Sequence, residues 1–195
     1  VREGGVLVKT YMSGIVDQSD NVYLGGYPGP LRELAGLWVE EIDALPNGEE
    51  NEFTYEGEKY PAKLLCDIIH TEGAKPLSEY EKDFYAGSPA VTVNSFGKGK
   101  AYYIGTASSE AFYQKLLTEI CEDAGVAPVL KTPEMVEVTS RENEKGRYLF
   151  VMNHADESKK ISLSGNYKDI ITGKDYHEQE MVLPGKDVAI LREEK

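Results

Sequence analysis

The chain has 195 residues, 41% of them hydrophobic, which is enough apolar material for one large domain or two small ones. Acidic residues outnumber basic ones 34 to 21. The resulting net charge of −13 argues against binding nucleic acid or an anionic membrane surface, and no apolar run is long enough to span a bilayer as a helix. With two cysteines, Cys66 and Cys121, a disulfide framework is not expected, and a reducing, cytoplasmic compartment fits.

In chain order, "VREGG" has the form of a helix end, with glycine as the stop, ahead of an apolar strand over Val6–Tyr11. A helix end without its beginning implies a chain cut from something longer. Next, "VYLGGYPGPLRELAGLWVEEIDAL" places three glycines and two prolines between Gly25 and Pro30. It matches neither the Walker pattern nor Gly-x-Gly-x-x-Gly, and its prolines remove N–H groups that a phosphate would need. Pro30 instead suits the first position of a short helix over Leu31–Ala35 ended by Gly36, so the segment is expected to shape a scaffold or a contact surface.

Cys66 falls in "AKLLCDII", a run expected to form a buried strand. Strands over Ala90–Ser95 and Ala101–Ile104 are joined by "FGKGK", whose Gly97 and Gly99 suit a tight hairpin. Ser109 then caps a helix that stops at Gly125. Phe112, Tyr113, Leu116, Leu117, Ile120, Cys121 and Ala124 recur on it at steps of three and four, predicting one apolar stripe with Cys121 in the core. Strands, hairpin and packing helix together predict an α/β layer domain.

The composition changes near "GVAPVLKTPE". Residues 1–130 carry 21 acids and 10 bases, and residues 131–195 carry 13 acids and 11 bases. The second part shows short strand-like segments, "MVEVTS", "RYLFVMN", "KKISLS", "YKDIIT" and "DVAILR", between Gly- and Asn-containing turns. That spacing predicts a small antiparallel sandwich over 131–195, following an α/β domain over 1–130.

Chemistry is hard to place. Ser13 lacks the leading glycine of a nucleophile elbow. Neither cysteine has a sharp glycine turn or an obvious base beside it. His70, His154 and His177 lack metal-ligand spacing. Glu40, Glu41, Asp43, Glu119, Glu122 and Asp123 are carboxylates, but spacing alone does not set two of them across a sugar bond. No catalytic, cofactor or metal residue is therefore assigned. Tyr11, Tyr23, Tyr27 and Trp38 cluster in the N-terminal part, and such aromatics serve both sugar-binding surfaces and protein interfaces.

"GGVLVKTYMSGIVDQSDNVYLGGYPGPLRELAGLWVEEIDAL" and "EYEKDFYAGSPAVTVNSFGKGKAYYIGT" resemble the trimerisation domain of family 42 glycoside hydrolases, the bacterial β-galactosidases. "RYLFVMNHADESKKISLSGNYKDIITGKDYHEQEMVLPGKDVAIL" is similar to that family's small C-terminal β-domain. The resemblance implies a class I glutamine amidotransferase-like (flavodoxin-like) α/β domain, truncated at its N-terminus, followed by the β-sandwich. It also implies a preceding TIM barrel that carries both catalytic glutamates and binds the galactoside, and a homotrimeric parent enzyme. Tyr23, Tyr27, Leu31, Leu34 and Trp38 are the candidate interface residues. The rival expectations are a carbohydrate-binding module and a cysteine-dependent amidotransferase-like enzyme using Cys66 or Cys121.

Overall fold

The computed structural model describes residues 1–194, which divide into two compact units, Val1–Gly125 and 126–194. In the first unit, the strands are β1 (Val6–Thr10), β2 (Leu37–Ala44), β3 (Asn51–Tyr55), β4 (Glu58–Thr71), β5 (Lys75–Glu79), β6 (Pro89–Phe96), β7 (Gly99–Ile104) and β8 (Thr106–Ala107). Its helices are the four-residue α1 (Arg32–Ala35) and the fourteen-residue α2 (Glu110–Asp123).

One sheet runs in the order β1-β7-β6-β5; β1 is parallel to β7, and the other pairs are antiparallel. Between β1 and β7 the chain builds a second, antiparallel sheet, β2-β4-β3. Its β3–β4 hairpin turns on Glu56 and Gly57, both at positive φ, the geometry that matches the twist of paired strands.

The expected α/β, glutamine amidotransferase-like (flavodoxin-like) fold is not what forms. The described structure is mostly β, with 49% strand and 11% helix. An α/β unit would cross from β1 to its parallel partner through covering helices; here that connection is itself a sheet. The first residues differ as well: Val1–Gly4 make a single turn closed by the Gly4 N–H on the Val1 carbonyl (2.9 Å), not a helix end.

Strand alternation sorts the side chains of the mixed sheet. Val91, Tyr102 and Ile104 face Phe112, Leu116 and Ile120 of α2, with Phe53, Tyr55 and Tyr60 completing an aromatic core. Ser109 caps α2 by accepting from the Phe112 N–H (3.4 Å). The opposite face presents Tyr103 to a second cluster made of Ala35, Leu37, Val39, Ile69 and Ala74.

The second unit packs a five-stranded antiparallel sheet against a two-stranded one. Its strands are β9 (Val136–Asn143), β10 (Gly146–Asn153), β11 (Lys159–Ser162), β12 (Asn166–Asp169), β13 (Asp175–His177), β14 (Glu180–Leu183) and β15 (Val188–Glu194), in the orders β13-β12-β15-β10-β9 and β11-β14. Leu149, Val151, Ile161, Met181 and Leu191 lie between them. No helix among the described residues is long and apolar enough to cross a membrane.

Candidate assembly surface

The Gly/Pro segment follows a small arm. Val16 and Val22 form an antiparallel bridge, and the Tyr23 N–H donates to the Ile15 carbonyl (3.0 Å). At the tip, the Asp17 carboxylate accepts from the Ser19 and Asn21 N–H groups (2.7 and 3.0 Å), which hold its carboxyl below the usual range. Beyond the arm the chain passes close to other parts of the unit. A Cβ on Gly26 would lie 2.8 Å from the Trp38 ring and 2.9 Å from the Val39 carbonyl. One on Gly29 would lie 2.4 Å from the Tyr23 ring. These glycines are used for close approach, not for cradling an anion.

Tyr27 fastens the segment to the interior. The Val39 N–H donates to its carbonyl (2.6 Å), and its hydroxyl donates to Asp67 Oδ1 (2.7 Å). Asp67, on β4, is fully buried, and the Tyr103 hydroxyl donates to its other oxygen (2.5 Å). Burial pushes the carboxyl up to about 6, against the two hydroxyl donors and the positive charge of Lys9. Lys9 is buried too, with its ammonium 5.0 Å from the Tyr103 ring centroid, and burial pushes it down to about 8. Lys9, Tyr103 and Thr92 are aligned in register across β1, β7 and β6. Lys9 Nζ and Thr92 Oγ1, at the two ends of that row, have no hydrogen-bond partner among the described residues. The phenols of Tyr27 and Tyr103 are raised, chiefly by burial, so both remain donors.

The outer side of the segment is an ion-pair and stacking cluster. Arg32 grips Glu72 with two nitrogens (2.7 and 2.5 Å), donates to the Gly25 carbonyl (3.0 Å), and lies 5.4 Å from the Trp38 ring centroid. Trp38 stacks on its cross-strand partner His70 (centroids 4.5 Å apart), whose Nε2 meets Glu40 at 2.7 Å.

Tyr23, Tyr27, Leu31, Leu34 and Trp38 therefore lie on one continuous segment, and all are half-buried. Tyr27 turns its polar end inward, and Tyr23 lies over Gly29. Sequence reasoning missed the arm's own apolar residues: Met12, Val16, Val22 and Leu24 are exposed, Leu24 at 98%. Their signal was available, since no helical or strand periodicity in this turn-rich stretch gives them a partner. Asp67, Arg32 and Glu72 were also missed; their partners lie 36 or 40 residues away in sequence.

The cysteines separate. Cys66 is buried on β4, and burial raises its thiol. Cys121 is exposed, contrary to the expectation that the whole stripe of α2 is core. The sheet covers only the row Phe112, Leu116 and Ile120, leaving Leu117 and Cys121 outside. Among the described residues, no group of three or more His, Cys, Asp or Glu is arranged to hold a metal ion.

Comparison with known proteins accounts for both units. The Beta-galactosidase trimerisation domain family matches residues 1–127, and the Beta-galactosidase C-terminal domain family matches residues 135–193. Beta-galactosidase BgaA of Planococcus sp. (strain 'SOS Orange') is 44% identical over 198 residues, covering 98% of this chain. Beta-galactosidase LacA of Lactobacillus acidophilus is 44% identical over 194 residues, again covering 98% of the chain. The crystal structure of beta-galactosidase from Bacillus circulans sp. alkalophilus superposes with a TM-score of 0.91 at 42% identity, covering the whole chain and 30% of that structure. The chain spans 29% of the length of the two curated relatives. With trimerisation and C-terminal domains matched in chain order on its two folded units, the chain belongs to the family 42 β-galactosidases.

Proposed function

We propose that this chain serves a β-galactosidase as its non-catalytic C-terminal part, with residues 1–130 holding subunits together and residues 131–195 forming an accessory β-sandwich. The observation that carries this reading is the trimerisation-domain match over residues 1–127. Self-association follows from the family, and the assembly we propose is a homotrimer. Its interface includes the segment of Tyr23, Tyr27, Leu31, Leu34 and Trp38. The whole enzyme hydrolyses terminal β-D-galactosides, with the substrate bound by a barrel domain outside these residues. Such hydrolysis needs an acid and a second carboxyl facing one glycosidic bond. The two free thiols support a reducing, cytoplasmic setting.

The rival readings have less support. A carbohydrate-binding module needs aromatic faces exposed to sugar, whereas eight of the thirteen tyrosines are buried. A cysteine nucleophile needs a thiolate, whereas Cys66 sits mid-strand with its thiol raised by burial.

Sedimentation of the chain over a range of concentration and salt tests the proposal. Association should strengthen with salt, because the −11 charge on residues 1–130 makes subunits repel. In the same series, a whole parent enzyme that stays strictly monomeric overturns the assembly role, whatever the chain does alone, because the barrel can supply part of the contact. Galactoside turnover by the purified chain that disappears on mutating one of its residues overturns the non-catalytic role.

A further inference from the structure

β2 and β3 pair with successive parts of β4, Leu65–Thr71 and Glu58–Ala62, and residues 45–50 connect them. The connection is pinned on both sides. The Leu45 N–H donates to the Leu64 carbonyl (2.9 Å), and Lys63 pairs with Glu50 at 3.1 Å. Between these pins, Pro46–Glu49 make a β-turn closed by the Glu49 N–H on the Pro46 carbonyl (3.0 Å). Asn47 and Gly48 are its central residues, with Gly48 at φ +89°, the pattern of a type II turn. Both are exposed, and a Cβ on Gly48 would meet nothing within 4 Å. Among the described residues, neither the Asn47 side chain nor the Gly48 N–H has a hydrogen-bond partner.

We propose that Asn47 is the site at which this chain deamidates spontaneously. The Gly48 nitrogen attacks Cγ of the Asn47 amide. An N–Cγ bond forms, the Cγ–Nδ2 bond breaks, and Nδ2 leaves as ammonia with the Gly48 amide proton. The five-membered succinimide that results is opened by water. Addition at Cγ gives aspartate. Addition at the Asn47 main-chain carbonyl gives isoaspartate, in which the main chain runs through Cβ and Cγ. Solvent water is the only co-reactant, and nothing is oxidised or reduced. Ring closure needs the Asn47–Gly48 peptide to rotate towards the side chain, and a residue without a Cβ, in open space, permits that rotation.

The other six asparagines lack this combination. Each is followed by a residue that carries a Cβ, and each has a hydrogen-bonded side chain. Asn21 bonds Asp17, Asn143 accepts from the Lys145 N–H, and Asn166 meets His177. Asn51, Asn94 and Asn153 are buried as well. In Asn51 the nitrogen that would attack, the Glu52 N–H, already donates to Oδ1.

Incubating the full chain in warm, mildly alkaline buffer, followed by peptide mapping, tests the proposal. The peptide holding Asn47 should gain the mass of OH in place of NH2 roughly 10-fold faster than a peptide holding any other asparagine. Part of the product should be labelled by protein isoaspartyl methyltransferase, which accepts isoaspartate and not aspartate. Asn47→Gln should remove the fast conversion. Repeating the incubation in urea separates the fold from the dipeptide. Asn47 should convert within roughly 3-fold of its rate in the folded chain, whereas Asn94 and Asn153 should speed up by roughly 10-fold once their burial is lost. If Asn47 stays intact in the folded chain and converts only in urea, the turn protects it and the proposal is wrong. Equal or faster conversion at another asparagine of the folded chain overturns it too.

Discussion

In the C-terminal unit, the buried polar side chains Asn153 and Asp169 are served by backbone groups and by one hydroxyl in the same turn. Asn153 Nδ2 donates to the Glu157, Leu183 and Pro184 carbonyls, and its Oδ1 accepts from the Ala155 N–H. Asp169 accepts from the Ile171 N–H and the Thr172 hydroxyl. The N-terminal unit instead buries Lys9 and Asp67, and the groups that touch them come from distant segments. The three buried side-chain atoms without a partner among the described residues, Lys9 Nζ, Ser78 Oγ and Thr92 Oγ1, all lie in that unit. A polar group satisfied within its own turn, as Asp169 is, stabilises the turn and little else, and the neutral Asn153 amide joins its own loop to the Leu183–Pro184 backbone without burying a charge. A buried charge held by side chains from a loop and two sheets ties those elements to one arrangement, and is costly if one partner is lost.

Removing Asp67 is the most severe way to probe this difference. Asp67→Ala strands the Tyr27 and Tyr103 hydroxyls and leaves Lys9 without its counter-charge. It should cost the N-terminal unit about 3–5 kcal/mol, while the C-terminal unit keeps its own unfolding transition in calorimetry. Asn153→Ala, the matching change in the other unit, should cost about 1–3 kcal/mol. A larger loss from Asn153→Ala than from Asp67→Ala would break the contrast.

Acidity sharpens the contrast further. The Asp67 carboxyl is raised from 3.8 to about 6, so the folded state holds its proton more tightly than the unfolded chain. This group's contribution is fully present below pH 3.8 and is lost as pH rises through about 6, a change of about 3 kcal/mol. Lys9 is lowered from 10.5 to about 8, so its contribution is present above 10.5 and is lost as pH falls through about 8, again by about 3 kcal/mol. Both groups are charged between those two values. Denaturant melts across pH should show the acid-side change disappear with Asp67→Asn and the alkaline change disappear with Lys9→Met. If the wild type and Asp67→Asn run parallel from pH 4 to 6, the carboxyl is not titrating in this way.

The smallest effect separates steric close approach from backbone strain alone. Gly26 and Gly146 both have positive φ, but an added Cβ meets the Trp38 ring and the Val39 carbonyl at Gly26 and open space at Gly146. Gly26→Ala should cost about 2–3 kcal/mol in the N-terminal unit, and Gly146→Ala about 1 kcal/mol in the C-terminal one. Equal losses in thermal melts would show that the packing beneath Trp38 adds nothing.

What the sequence by itself determined was local. Gly97 and Gly99 marked the β6–β7 hairpin, and Ser109 and Gly125 bracketed α2. Alternating segments with turn residues located five strands of the C-terminal unit and left β13 and β14 unread. Long motifs also carried the family resemblance, because relatedness is recorded residue by residue. The tertiary structure alone decided the partners. Nothing near Val6–Thr10 announces a parallel pairing with Gly99–Ile104, or that a second sheet rather than helices fills the connection between them, which is why the α/β expectation failed. Nothing near Cys121 shows that the sheet stops short of its row, and nothing near Asp67 names Tyr27 and Tyr103. Hydrophobic periodicity records which face of an element is apolar, but how much of that face is covered, and by what, depends on segments that meet only when the chain folds.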